Sequence, residues 1–191
     1  MKRIATPHSW MLSKLGGKWA TRPSTGPHRL RESLPLSIVI QNRLRYAMNN
    51  QEVKLILNDK EGLVKVLPLS QVDNKVRKDH GFPTGLMDVI TLDKTKENFR
   101  VLYDVKGRFI LKKLTAEEAK FKLCKIKSRS LGPNKVPYIV THDGRTFRYP
   151  DPAIKVGDSV RLDLATNKLS NTLPFELGNI IRGWGNELKC Y

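Results

Sequence analysis

The stretch FRVLYDVKGRFILKKLTAEEAKFKLCKIKSR, residues 99–129, decides the fold class. Its first half is two runs rich in β-branched and aromatic residues, joined at Lys106-Gly107. That dipeptide predicts a hairpin over 99–114, because its glycine can take the positive φ of a tight turn. TAEEAKF (115–121) follows with a capping box, Thr115 to Glu118, enough for a helix of a turn or two. KLCKIKSRS (122–130) then resumes the period of two: Lys125, Lys127 and Arg129 alternate, and all three are expected to leave one strand face together. No acid stands between Glu118 and Asp143 to neutralise that face, which makes phosphate contact the favoured reading over a solvated surface.

Downstream the pattern stays β. VPYIV, the turn dipeptide Asp143-Gly144, TFRY and IKVGDSVRLDL follow in quick succession, and Val160, Leu162 and Leu164 alternate with Arg161 and Asp163. Five or so short strands in roughly fifty-five residues predict a small barrel or sandwich. Upstream, GLVKV (62–66), KVRKD (75–79) and LMDVITL (86–92) are expected strands. Before them come two helices. In LSIVIQNRLRYAM (36–48), Leu36, Ile40, Leu44 and Ala47 fall at helical spacing with Arg43 and Arg45 turned away. Asn49 and Glu52 form a capping box for a second helix that buries Val53, Ile56 and Leu57. The fold class is α+β.

The 191 residues carry 35 Lys and Arg against 18 Asp and Glu, a net charge of +17, with 39% hydrophobic residues. That charge is segregated: +8 over residues 1–46, +1 over 47–106, +8 over 107–148 and zero over 149–191. Two basic zones joined by ordinary folded material point to a polyanionic partner, nucleic acid ahead of an anionic membrane. Cys124 and Cys190 have no partner at metal-ligand spacing, so neither a disulfide framework nor a zinc site is expected, and the compartment is read as reducing. The four His are dispersed, and no cofactor or metal is expected; His142, before Asp143-Gly144, reads as a turn residue. No apolar run reaches membrane-span length and no signal-peptide core opens the chain. Residues 1–31 hold seven basic side chains and no acid, the composition of a transit peptide, but Pro7, Gly16-Gly17, Pro23 and Pro27 would break its helix.

Two helices followed by a small β element resemble the S-four-type RNA-binding domain, whose V-D/N-G-K-V turn is matched by VDNKV (72–76) with Asn74 in place of Gly. The sequence as a whole resembles the eukaryotic and archaeal small-subunit ribosomal protein S-four-e family. RPSTGPHRLRE (22–32), VRKDHGFPTGLMDVITLDKTKENFR (76–100), YDVKGRF (103–109), THDGRTFRYPDP (141–152) and IKVGDSVRLDL (154–164) carry it in order along the chain. The resemblance implies a basic extended N-terminal segment (1–36), an S-four-type αα-β domain (37–95) and a central β-barrel-like domain (96–172). It implies further that residues 173–191, with PFELGNIIRGWGN (174–186), are the remnant of a truncated SH3-like barrel of the KOW type.

On that reading the protein is a structural constituent of the small ribosomal subunit. Its partners are small-subunit ribosomal RNA and neighbouring ribosomal proteins, with no membrane and no small-molecule substrate. The expected location is the cytoplasmic ribosome, with nuclear or nucleolar assembly in a eukaryote. Residues 1–36, with too few apolar side chains for a core of their own, are expected to order only against RNA. The expected RNA contacts are Lys2, Arg3, Lys14, Lys18, Arg22, His28, Arg29, Arg31, Arg43, Arg45, Lys54, Lys75, Arg77, Lys78 and Arg108, then Lys125, Lys127, Arg129, Arg145 and Arg148. Phe147 and Tyr149, flanked by the last two arginines, are read as core rather than as base-stacking aromatics. The alternatives are a free-standing RNA-binding translation factor or chaperone and, from the RLD motif at 161–163, a pseudouridine synthase using Asp163. The second fits poorly, since Asp163 falls in a strand pattern and only 28 residues follow it. The expectation is no enzyme.

Overall fold

The computed structural model describes residues 1–58, 70–73, 75–92 and 95–178; the strand expected at 62–66 lies outside them. The chain divides into two compact units, residues 1–119 and 120–191.

In the first unit, β1 (Ser33–Pro35) pairs with β4 (Pro83–Gly85), so the proline-rich N-terminal stretch is an antiparallel partner of HGFPTG. Three further bonds extend the seam: Ser24 N–H to Gly81 O (2.8 Å), Leu36 N–H to Phe82 O (3.0 Å) and Ser37 N–H to His80 O (2.9 Å). The Trp10 indole is fully buried and donates to Ser33 O at 2.7 Å. The expectation that residues 1–36 lack a core and order only against RNA is therefore corrected. Trp10, Leu34 and Leu36 share one core with Val53, Ile56, Val101 and Phe109. Extended segments escape sequence detection because their partner is far along the chain.

α1 (Leu36–Ile38) runs into a π-turn over Val39–Arg43. The helix stops short of the expected residue 48: Arg45 takes φ +58° and Tyr46 N–H reaches back to Ile40 O at 3.0 Å, a left-handed C-terminal cap. α2 (Asn50–Asn58) starts where its capping box predicts, with the Glu52 carboxylate accepting the N–H groups of Met48 (2.7 Å) and Asn49 (3.4 Å).

A five-stranded antiparallel sheet follows: β2 (Ser70–Val72), β3 (Lys75–Val76), β5 (Val89–Leu92), β6 (Glu97–Tyr103) and β7 (Phe109–Leu114), in the order β3-β2-β5-β6-β7. β3 is shorter than KVRKD suggested, since Arg77 lies over the Phe82 ring (4.5 Å) and the Asp79 carboxylate accepts Ser24 Oγ–H and Gly81 N–H. LMDVITL is strand only from Val89, because Asp88 closes a turn on Gly85. In the turn VDNKV the positive φ falls on Asp73 (+51°), and Asn74 lies outside the described residues. The hairpin of 99–114 stands as predicted: Gly107 has φ +71°, its N–H bonds Asp104 O at 2.9 Å, and Asp104 Oδ2 accepts from Arg108 at 2.8 Å. β5 and β6 pair directly, so the expected boundary at 95/96 falls inside a sheet and the compact unit runs on to residue 119.

The second unit orders β8 (Phe121–Leu131), β9 (Pro137–Thr141), β10 (Thr146–Arg148), β11 (Ser159–Asp163) and β12 (Leu169–Leu173) as β10-β9-β8-β11-β12, all antiparallel. β8 is shared: residues 121–125 pair with β11, and residues from Ile126 onward pair with β9. A bulge between Ile126 and Ser128 marks the change of partner, as bulges do where a strand bends between layers. Ile126, Ile139, Val160 and Leu162 lie buried beneath.

Candidate nucleic-acid interface

The expected RNA contacts fall into two groups. Lys2, Lys14, Lys18, Arg22, Arg29, Arg31, Arg45, Lys54, Lys75, Lys78, Lys125, Lys127, Arg129 and Arg148 are exposed. The rest are half-buried and engaged by the fold. His28 is the clearest correction: its side chain is 4% exposed and its Nε2 lies 2.9 Å from Asp88 Oδ2, beneath β4. Arg43 donates to Trp10 O at 2.8 Å rather than facing away from the core, and burial together with the neighbouring Arg108 holds its pKa below the ordinary value. Arg108 belongs to the hairpin through Asp104, and Arg77 to the Phe82 ring. Arg3 Nε donates to Ser13 O at 2.5 Å, closing the loop of residues 3–18.

Strict alternation fails for Arg129. Lys125 and Lys127 point outward, but the extra residue in the bulge reverses the phase beyond it, so Arg129, though still exposed, stands in register opposite the fully buried Ile139. Its guanidinium reaches the carbonyls of Pro152 (3.3 Å) and Ile154 (3.4 Å). A one-residue bulge carries no composition of its own, which is why alternation alone missed it.

Beneath this surface lies a charge network absent from the sequence reading. Lys122, fully buried, places Nζ 2.7 Å from Asp143 Oδ2, and Arg145 Nε lies 3.0 Å from the same oxygen. Thr141 Oγ1 donates to the other oxygen. Burial alone would raise the Asp143 pKa, but Lys122, by charge and hydrogen bond, and Thr141 bring it down to about 2. The available signal was phase: Lys122 falls on the same side of β8 as Cys124 and Ile126. Cys124, His142 and Asp143 bring ligand atoms within 4.8 Å of one another. They do not suit a metal: Lys122 and Arg145 already compensate the carboxylate, and His142 Nδ1 accepts Lys125 N–H at 3.2 Å. His142 is a turn residue, as expected.

Asp163 ends β11. Its carboxylate accepts Ala165 N–H (2.9 Å) and Thr166 Oγ–H (3.0 Å), and these bonds hold its pKa below the usual carboxylate range. The carboxylate thus ties the turn that follows β11. Among the described residues, no helix is long and apolar enough to cross a membrane.

Residues 95–169 match ribosomal family S4e, and residues 1–31 match the RS4NT domain. Over 180 residues the chain is 59% identical to small ribosomal subunit protein eS4 of Tetrahymena thermophila, covering 94% of this chain and 67% of that one. The chain belongs to the S4e family. The eS4 proteins of Ixodes scapularis (56% identical) and Carabus granulatus (54%) align over the same 94%, each with 66% of its length covered. The chain thus spans about two thirds of the curated relatives it matches. The crystal structure of the 30S ribosomal protein S4e from Thermoplasma acidophilum superposes with a TM-score of 0.66 at 32% identity, over 82% of this chain and 78% of that one. The mixed α and β architecture, with few helices and several sheets, is therefore that of an S4e protein.

Proposed function

We infer that the protein is a structural constituent of the small ribosomal subunit that binds ribosomal RNA, and that it is not an enzyme. The observation carrying this reading, beside family membership, is where the surplus charge lies. Between Glu118 and Arg148 the one acid in the sequence is Asp143, which is buried against Lys122 and Arg145, while Lys125, Lys127 and Arg148 are exposed. Lys2, Lys14, Lys18, Arg22, Arg29 and Arg31 form the other zone, in a segment with no acid before Glu32. Phosphate contacts belong to these exposed cations; His28, Arg43, Arg108 and Arg145 hold the scaffold that presents them.

The same reading makes residues 37–95 the S-four-type RNA-binding elements, extended by the β6–β7 hairpin; the segment 173–191 that it assigns to a KOW-type barrel lies outside the described residues from 179 onward. Neighbouring ribosomal proteins and a cytoplasmic ribosome, with nucleolar assembly in a eukaryote, go with it. The test is affinity for small-subunit RNA against salt, together with cofractionation in high salt. If about 6–10 phosphates are neutralised, binding falls on the order of a thousandfold or more over a fourfold rise in salt. A flat dependence refutes the polyelectrolyte interface, and release from subunits in high salt indicates a free-standing factor instead.

A further inference from the structure

The outer face of β9 and β10 carries an aromatic arrangement that folding does not explain. In register, Arg148 of β10 stands opposite Tyr138 of β9, and Ser130 of β8 stands on the other side of Tyr138. Cross-strand partners share a face. Phe147, half-buried, takes the opposite face with Ile139, which is fully buried, so the expectation of a core role is met in part for Phe147. It does not hold for Tyr149, which is 72% exposed.

Tyr149 also sits at φ +50°. Its N–H donates to Pro137 O at 2.9 Å, continuing the ladder one residue past β10, and the left-handed backbone turns the chain there. For a bulky L residue that conformation is strained, and Gly or Asn meets the same need at less cost. Strain persists where something else compensates for it, and a side chain this exposed recovers little from the fold. The surroundings are basic: Arg148 and Lys135 are exposed, and the row beside Arg148 and Tyr138 is the small-residue row of Thr146, Val140 and Ser128. Of the acids close in sequence, Asp143 is buried against Lys122 and Arg145, and Asp151 accepts the Ala153 N–H at 3.1 Å.

We propose that Tyr149, with Arg148 beside it, is a stacking platform for an unpaired RNA base, Arg148 taking the adjoining phosphate. The inference rests on the RNA-binding reading and deepens it by naming the form of RNA. A base within an A-form duplex has both faces covered by its neighbours, so only a looped-out, bulged or single-stranded nucleotide can use the ring. Stacking of this kind is tolerant of base identity, since every base has a π-face.

The experiment uses the full chain, a short single-stranded oligoribonucleotide carrying 2-aminopurine, and a duplex RNA of equal length. Wild type is expected to change the 2-aminopurine fluorescence on binding. Tyr149→Asn, which suits the left-handed backbone but lacks the ring, is expected to weaken single-strand binding by about fivefold or more and to abolish that signal. Duplex affinity is expected to be unchanged, Tyr149→Phe to behave as wild type, and Tyr149→Asn to melt no lower than wild type. Equal loss on both RNAs, or no loss on either, overturns the proposal, the latter leaving a protein partner as the occupant. A lower melting temperature for Tyr149→Asn also overturns it, because the ring would then belong to the fold. Failure of the RNA-binding reading shows separately, as wild type that binds neither RNA at low salt.

Discussion

Asp143→Asn removes the one anion between two cations in the second unit, and its cost can be bounded in two ways. Asp143 is held at about 2 against an ordinary value of 3.8. At about 1.36 kcal/mol per pH unit, the charged form contributes roughly 2–2.5 kcal/mol at neutral pH. The variant additionally leaves Lys122 fully buried, 2.7 Å from an uncharged amide. Breaking a buried pair by removing one partner typically costs about 3–5 kcal/mol, so about 3 kcal/mol is the expected loss. That is a large fraction of the roughly 5–15 kcal/mol that stabilises a domain. The sign with pH follows from the depressed folded-state pKa. The contribution is fully present above the unfolded value near 4 and is lost as pH falls through about 2. Urea unfolding of wild type and variant across that range is the assay, read by amide exchange in β8 and β9. Lys122→Met combined with Asp143→Asn should recover part of the loss. A variant within about 0.5 kcal/mol of wild type at neutral pH refutes the reasoning, because changes that small are ordinary for unpaired surface positions. A gap that stays the same down to the folded-state pKa refutes it as well.

Trp10→Ala empties a fully buried site beneath β1 and should cost about 3–5 kcal/mol in chemical denaturation; a truncation of residues 1–36 that leaves the first unit's melting unchanged would show that the segment does not belong to its core. A methyl group on Gly85 would collide with the His28 ring, and that ring is pinned by Asp88. Gly85→Ala should therefore destabilise by about 1–3 kcal/mol, measured as a shift of the urea midpoint. Asp163→Asn should lower the melting temperature by loosening the turn to Thr166, while the pseudouridine map of cellular RNA stays the same. Loss of one specific pseudouridine in cells carrying that variant would make the protein an enzyme.

Interactions that close within a few residues were legible from sequence. The Asp104–Arg108 turn of the 99–114 hairpin, the Glu52 cap and the reciprocal Thr115–Glu118 box all stand where composition put them, because each satisfies backbone groups locally. The partition of charge was legible too, and with it the kind of partner, since net charge survives any folding. Pairings across long stretches of chain were not. RPSTGPHRLRE looked like an unstructured basic strap until residues some sixty positions on engaged it, Gly81 through its carbonyl to Ser24 and Asp88 through its carboxylate to His28. Nor did alternation reveal that a bulge at Ile126–Ser128 shifts Arg129 out of phase and onto the carbonyls of Pro152 and Ile154, or that Lys122 faces the core. A basic side chain has the same appearance in sequence whether it meets phosphate, a carbonyl or a buried carboxylate. Only the tertiary structure, by setting which groups lose water together, decided among them.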